Sequence, residues 1–159
     1  IEEYQQALER LFSDTKPIIK QAVYKGAKIV ADEIKAGIQN IPIQEGDNGL
    51  PPMGTPENPL TGISRRQKAD LLEGFGLAKM EDKNGYIETK AGMNGYGSVK
   101  TRAYPNGTPN SVLMRSIESG TSFRKKHPTF RPAVNRARKR AEQAMEEELE
   151  NKIREKMEG

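Results

Sequence analysis

Pro17-Ile18-Ile19-Lys20-Gln21-Ala22-Val23-Tyr24-Lys25-Gly26-Ala27-Lys28-Ile29-Val30-Ala31-Asp32-Glu33-Ile34-Lys35-Ala36-Gly37-Ile38 is the stretch on which the fold turns. Ile19, Val23, Ala27, Val30, Ile34 and Ile38 recur at spacings of three and four, which places them on one face of a long helix. Lys20, Lys25, Lys28, Asp32 and Lys35 occupy the other sides. Asp14 or Thr15 stands where a cap belongs, and Pro17 falls in the first turn, where its missing N–H costs nothing. Gly26 and Gly37 weaken such a helix by roughly 1 kcal/mol each relative to alanine, and they allow another backbone to approach closely.

An amphipathic helix of this length needs partners for its apolar face. Upstream, Tyr4, Leu8, Leu11 and Phe12 share a face of a shorter helix. At the other end of the chain, Pro132 opens a final helix whose stripe is Val134, Ala137, Ala141, Met145, Leu149, Ile153 and Met157. Its charges are segregated. Arg131, Arg136, Arg138, Lys139 and Arg140 crowd the start, and Glu142, Glu146, Glu147, Glu148 and Glu150 follow. This order opposes the helix dipole, which prefers acids first. Arg138 and Glu142 have the spacing of a helical salt bridge.

The middle of the chain reads differently. Residues 76–82 and 85–91 flank Lys83-Asn84-Gly85, a strong hairpin turn signal. A third strand is expected from Ser98 to Tyr104, closed by the turn Pro105-Asn106-Gly107. Ser64 caps a short helix through Leu71 and Leu72. Asn110 or Ser111 caps another, which carries Val112, Leu113 and Ile117 and ends at Gly120. The expected fold is therefore α+β, one domain over residues 1–159, with a long N-terminal helix and a C-terminal helix packed on a small, mainly antiparallel sheet.

Residues 41–62 stand apart from this pattern. Five prolines alternate with Gly46, Gly49, Gly54 and Gly62, and no periodicity survives. Leu50, Met53 and Leu60 are among its few apolar anchors. Loops of this length are functional or disordered. Two outcomes stand: an arm that orders only against a partner, or a loop packed across the sheet.

Composition sets limits on function. Apolar residues make up 34% of the 159 and charged residues 30%, enough for a small core that gains from burial between subunits. With 26 basic against 22 acidic side chains, the charge excess is too mild to imply nucleic-acid binding by itself. The chain has no cysteine, so disulfides, thiolate metal sites and cysteine nucleophiles are excluded. The single histidine, His127, rules out a pair of histidine metal ligands. No apolar run is long enough to cross a membrane. Ile1-Glu2-Glu3-Tyr4 lacks the basic start and apolar stretch of a signal peptide. No nucleophile elbow, phosphate loop or dinucleotide fingerprint is present. Neither catalysis nor a cofactor is expected.

Three stretches carry a family resemblance. They are Asn58-Pro59-Leu60-Thr61-Gly62, then Ile117-Glu118-Ser119-Gly120-Thr121-Ser122, then His127-Pro128-Thr129-Phe130-Arg131-Pro132-Ala133-Val134-Asn135, with Gly107-Thr108-Pro109-Asn110 standing between the first and the second. In this order they resemble the minor tail, or neck, proteins of lambda-like siphophages and of prophages in Gram-positive bacteria. Thr129 departs from the family pattern, where a second apolar or aromatic residue is frequent. The resemblance implies a non-enzymatic virion protein of the neck or tail-completion class, made in the host bacterial cytoplasm. It would act as a homo-oligomeric ring at the head–tail junction. Its neighbours would be head-closure, tail-terminator or tail-tube proteins, with DNA passing through the channel.

The candidate interface residues follow: Leu50, Met53 and Leu60 from the loop, with Arg124, Lys125, Lys126, Phe130 and Arg131. For Phe130, a core anchor and an interface plug both fit. The basic run fits a protein interface, a DNA contact or a solvated face, although no interleaved aromatic residues argue for base stacking. One enzymatic alternative is a metal-dependent nuclease in which Asp82 and Glu88 hold a cation beside Lys90.

Overall fold

The computed structural model describes residues 2–13, 15–84 and 86–158, with the Phe12 side chain excepted. Asp14 as a cap, the Phe12 side chain in the first stripe and the glycine of the Asn84-Gly85 turn lie outside the described residues. The helices are α1 (Glu2–Ser13), α2 (Thr15–Gln39), α3 (Arg65–Gly74), α4 (Asn110–Ser119) and α5 (Phe130–Glu158). Four short strands, β1 (Phe75–Leu77), β2 (Glu81–Lys83), β3 (Tyr86–Glu88) and β4 (Ala91–Met93), lie between α3 and α4. The fold is α+β.

α2 and α5 form the main packing unit. They run antiparallel, since Glu33 pairs with Arg136 and Arg140 while Lys25 pairs with Glu148. A Cβ added to Gly26 would lie 2.5 Å from the Met145 sulfur, and one added to Gly37 would lie 3.0 Å from a Thr129 methyl. Both glycines therefore serve close approach of the two helices. The buried residues of α2 are Ile18, Ala22, Gly26, Ala31, Ile34 and Ile38. Over the first half of the helix this face is turned by about one residue from the expected stripe, because Ile19, Val23 and Ala27 are only half-buried, and at Ile34 and Ile38 the two coincide. α5 likewise buries Ala133, Ala137 and Ala141, and Ile153 is 42% exposed.

The segregated charges of α5 are matched across the helix pair rather than along α5. Its basic start faces Glu33, and its acidic middle faces Lys25. Pairing with α2 thus overrides the unfavourable order relative to the dipole. α1 packs against the far end of α5 through buried Ala7, and the Arg10 guanidinium donates to the Lys156 carbonyl at 3.2 Å.

The hairpin forms with one irregularity. Phe75 pairs with Met93 and Leu77 with Ala91, whereas Glu81 pairs with Glu88 and Lys83 with Tyr86. Residues 78–80 on one limb face only 89–90 on the other, so an extra residue bulges the first limb and divides the ladder. The Ala78 amide bridges the break to the Lys90 carbonyl at 2.7 Å, and the Thr89 hydroxyl reaches the Ala78 carbonyl at 2.7 Å.

The expected third strand at 98–104 does not form. The chain there makes a Thr101–Tyr104 turn, and the Thr108 amide donates to the Val99 carbonyl. Three glycines nearby and the prolines after Tyr104 deny it a partner strand. Ser64 does cap α3, in a reciprocal box with Gln67. Neither Asn110 nor Ser111 caps α4, which starts after Pro109 without a side-chain cap. Asn110 is buried instead, and its amide donates to the carbonyls of Asn94 and Asp70. α4 ends at Gly120 as expected, but with φ of 76° and ψ of 168° the glycine takes an extended positive-φ conformation rather than the left-handed helical one.

The core lies where α2 ends and α5 begins. Ile34, Ile38, Ile41, Ile63, Leu71 and Ile117 are almost wholly buried there, against Phe75, Leu113, Met114 and Ala133. Each such side chain contributes about 1.5–3 kcal/mol on full burial.

Candidate assembly surface

The three stretches that carry the resemblance meet in space. Leu60 lies in register with Arg124: its amide donates to the Phe123 carbonyl at 2.7 Å, and its carbonyl accepts the Lys125 amide at 2.9 Å. The Arg124 guanidinium donates to the Gly62 carbonyl at 2.7 Å. The Glu118 carboxylate accepts the amides of Thr129, Phe130 and Arg131 at 2.6, 2.9 and 3.1 Å. The His127 amide donates to the Ile117 carbonyl at 2.7 Å. One knot therefore ties the proline-rich loop, the end of α4 and the start of α5.

Beside this knot lies a groove of about 650 Å³, walled by Leu50, Met53, Leu60, Val99, Tyr104 and Phe123. Met53 is 92% exposed at its lip. Exposed apolar side chains gathered at a groove make this a candidate contact surface. Lys100 and Arg102 line it as well.

The expected interface residues separate into two groups. Leu50, Met53 and Leu60 line the groove; Lys125 is exposed, and Lys126 and Arg131 are exposed at a separate cleft with Glu118, Ser119 and Pro128. Arg124 and Phe130 do not belong to the surface. Arg124 is only 9% exposed, and burial pushes its pKa down. A buried guanidinium needs its partner, and the Gly62 carbonyl supplies it. Phe130 packs on the core, edge-on to Phe75 with ring centroids 5.9 Å apart. Arg136 and Arg140 are engaged with Glu33, which shortens the basic face further.

Phe123, Tyr104, Lys100 and Arg102 are the surface residues that sequence reasoning missed. Assigning 98–104 to a strand hid three of them. The unpaired turn signal at Pro105-Asn106-Gly107, with glycines at 95 and 97, was the available warning.

The residues of the nuclease alternative are not brought together. Cross-strand partners share a face, so Glu81, Lys83, Tyr86 and Glu88 lie on one side of the hairpin, and Asp82 and Ile87 lie on the other. Asp82 pairs with Lys16 at 2.8 Å and raises its pKa. Lys83 bonds Glu88 at 2.8 Å and holds its carboxyl below the usual range.

No protein-family model, curated protein or solved structure matches the chain.

Proposed function

We propose that this chain is a structural component of a tailed phage or prophage particle, acting by assembly at the head–tail junction and not by catalysis. The observation that carries this reading is the knot. The first stretch, 58–62, is distant in sequence from the other two, and hydrogen bonds of Leu60 and Gly62 tie it to 123–125, the short segment between them, while Glu118 ties the second stretch to the third. The remote stretch 58–62 thus shares one structural unit with the two neighbouring stretches. The groove with its exposed Met53 supports the same reading, since it offers an apolar surface for a protein neighbour.

The test is genetic. Deleting the gene from an inducible prophage should leave filled heads and finished tails that do not join, visible by electron microscopy. Joined, infectious particles from the deletion strain would overturn the reading.

A further inference from the structure

We propose that the groove receives the acidic half of α5 from a second copy of this chain, so that copies join head to tail. The inference rests on the assembly reading above and names its contact.

Charge complementarity carries it. The groove wall includes the exposed Lys100 and Arg102, and no carboxylate lines it. Residues 142–158 of α5 carry seven glutamates against three cations. Glu142, Glu146 and Glu150 are exposed and lie one helical turn apart. Leu149, Ile153 and Met157 share their face, and Ile153 is left exposed on it. A groove with apolar side chains and exposed cations is complementary in charge to a helix face that carries glutamates around the exposed Ile153.

The two surfaces cannot meet within one copy. The Lys25–Glu148 pair and the Arg10–Lys156 hydrogen bond place this half of α5 beside α1 and the start of α2. The groove is built at the opposite end, where the proline-rich loop leaves α2 and α4 hands over to α5. Complementary patches at opposite ends of a rigid helix pair make a heterologous contact, which closes into a ring or runs on as a filament.

A charge swap on the full chain tests this, read by light scattering after gel filtration and by native mass spectrometry. The wild-type chain should self-associate as its concentration rises to about 1 mM, the limit for a weak specific contact. Lys100→Glu with Arg102→Glu, and separately Glu146→Lys with Glu150→Lys, should each weaken association roughly tenfold or more. Mixing the two variants should restore it, because each then meets a surface of opposite sign on the other. Restoration also shows that both variants fold. Wild-type association unaffected by either reversal would overturn this contact and leave the assembly reading standing. A wild-type monomer throughout the range would overturn the contact as well. So would Lys100→Glu with Arg102→Glu abolishing binding to a short DNA duplex while association stays unchanged.

Discussion

The Glu118 carboxylate, on the last turn of α4, accepts the Phe130 amide at 2.9 Å and so fixes the first residue of α5. With the Thr129 and Arg131 amides it satisfies three donors that a helix start leaves open. A negative group there also suits the helix dipole. Gly120 matters to this geometry. Its positive φ turns the chain out of α4 just beyond Glu118, and an added Cβ would sit 2.9 Å from the Lys126 amide nitrogen.

Glu118→Ala should therefore destabilise the fold by about 1–2 kcal/mol, the upper range for a lost cap. Glu118→Gln, which keeps one acceptor oxygen, should lose less. Urea unfolding followed by circular dichroism checks both. Equal losses in the two variants would show that packing, not capping, is the role of Glu118.

Gly26 allows a double-mutant test of helix approach. Alanine at 26 gains up to about 1 kcal/mol in helix propensity. In the wild-type background that gain is opposed by Met145, whose sulfur and Cγ lie 2.5 and 2.6 Å from the new Cβ position. Gly26→Ala should thus stabilise the Met145→Ala protein but not the wild type. Equal effects in both backgrounds would remove Met145 as the partner.

Much of this architecture was legible. The periods of α2 and α5, the Ser64 cap, the Asn84 turn and the Gly120 terminus all rest on local chemistry, and each formed. Faces were less legible than helices. A stripe of isoleucine and valine points to the side with most hydrocarbon, yet α2 buries the side where Ala22 and Gly26 let α5 come close. The surface was least legible. Whether Arg124 faces solvent or the Gly62 carbonyl depends on a contact between residues 62 apart in sequence. No spacing rule encodes such a contact.

The Glu33 pair predicts a pH dependence with a defined sign. Hydrogen bonds from Arg136 and then Arg140 hold the Glu33 carboxyl below its ordinary range. Its folded pKa is thus lower than in the unfolded chain, where a glutamate titrates at about 4.3. The stabilisation is present above that value and is lost as pH falls through the lower folded value. The wild-type chain should melt above Glu33→Gln at about pH 7, and the gap should close as pH falls below the unfolded value and through the lower folded one. The carboxylate is accessible, so added salt should shrink the gap as well. A gap independent of pH would show that the ionised form of Glu33 contributes nothing.

The proline-rich loop should divide under amide exchange into pinned roots and a mobile middle. At its roots, the Gln44 amide donates to the Ile63 carbonyl at 2.8 Å, Ile63 to the Pro42 carbonyl at 2.9 Å and Leu60 to the Phe123 carbonyl at 2.7 Å. The Gln44 side chain adds bonds from the Thr61 and Gly62 amides at 2.7 and 3.1 Å. These bonds span the loop and reach the core at Ile41 and Ile63. Between them, the backbone bonds among the described residues are short turns, Gly46 with Leu50 and Thr55 with Asn58. Four prolines at 51, 52, 56 and 59 withhold donors there. Met53 is exposed, so it lends no burial against an ordering cost of about 1–2 kcal/mol per residue. In the free subunit, Gln44, Leu60 and Ile63 should exchange slowly, while Met53, Gly54 and Glu57 exchange almost at the rate of an unfolded chain. In an assembled particle the second group should slow, because a neighbour on the groove covers it. Strong protection of Met53 and Gly54 in a monomer would assign the whole loop to the fold and leave no arm for a partner to order.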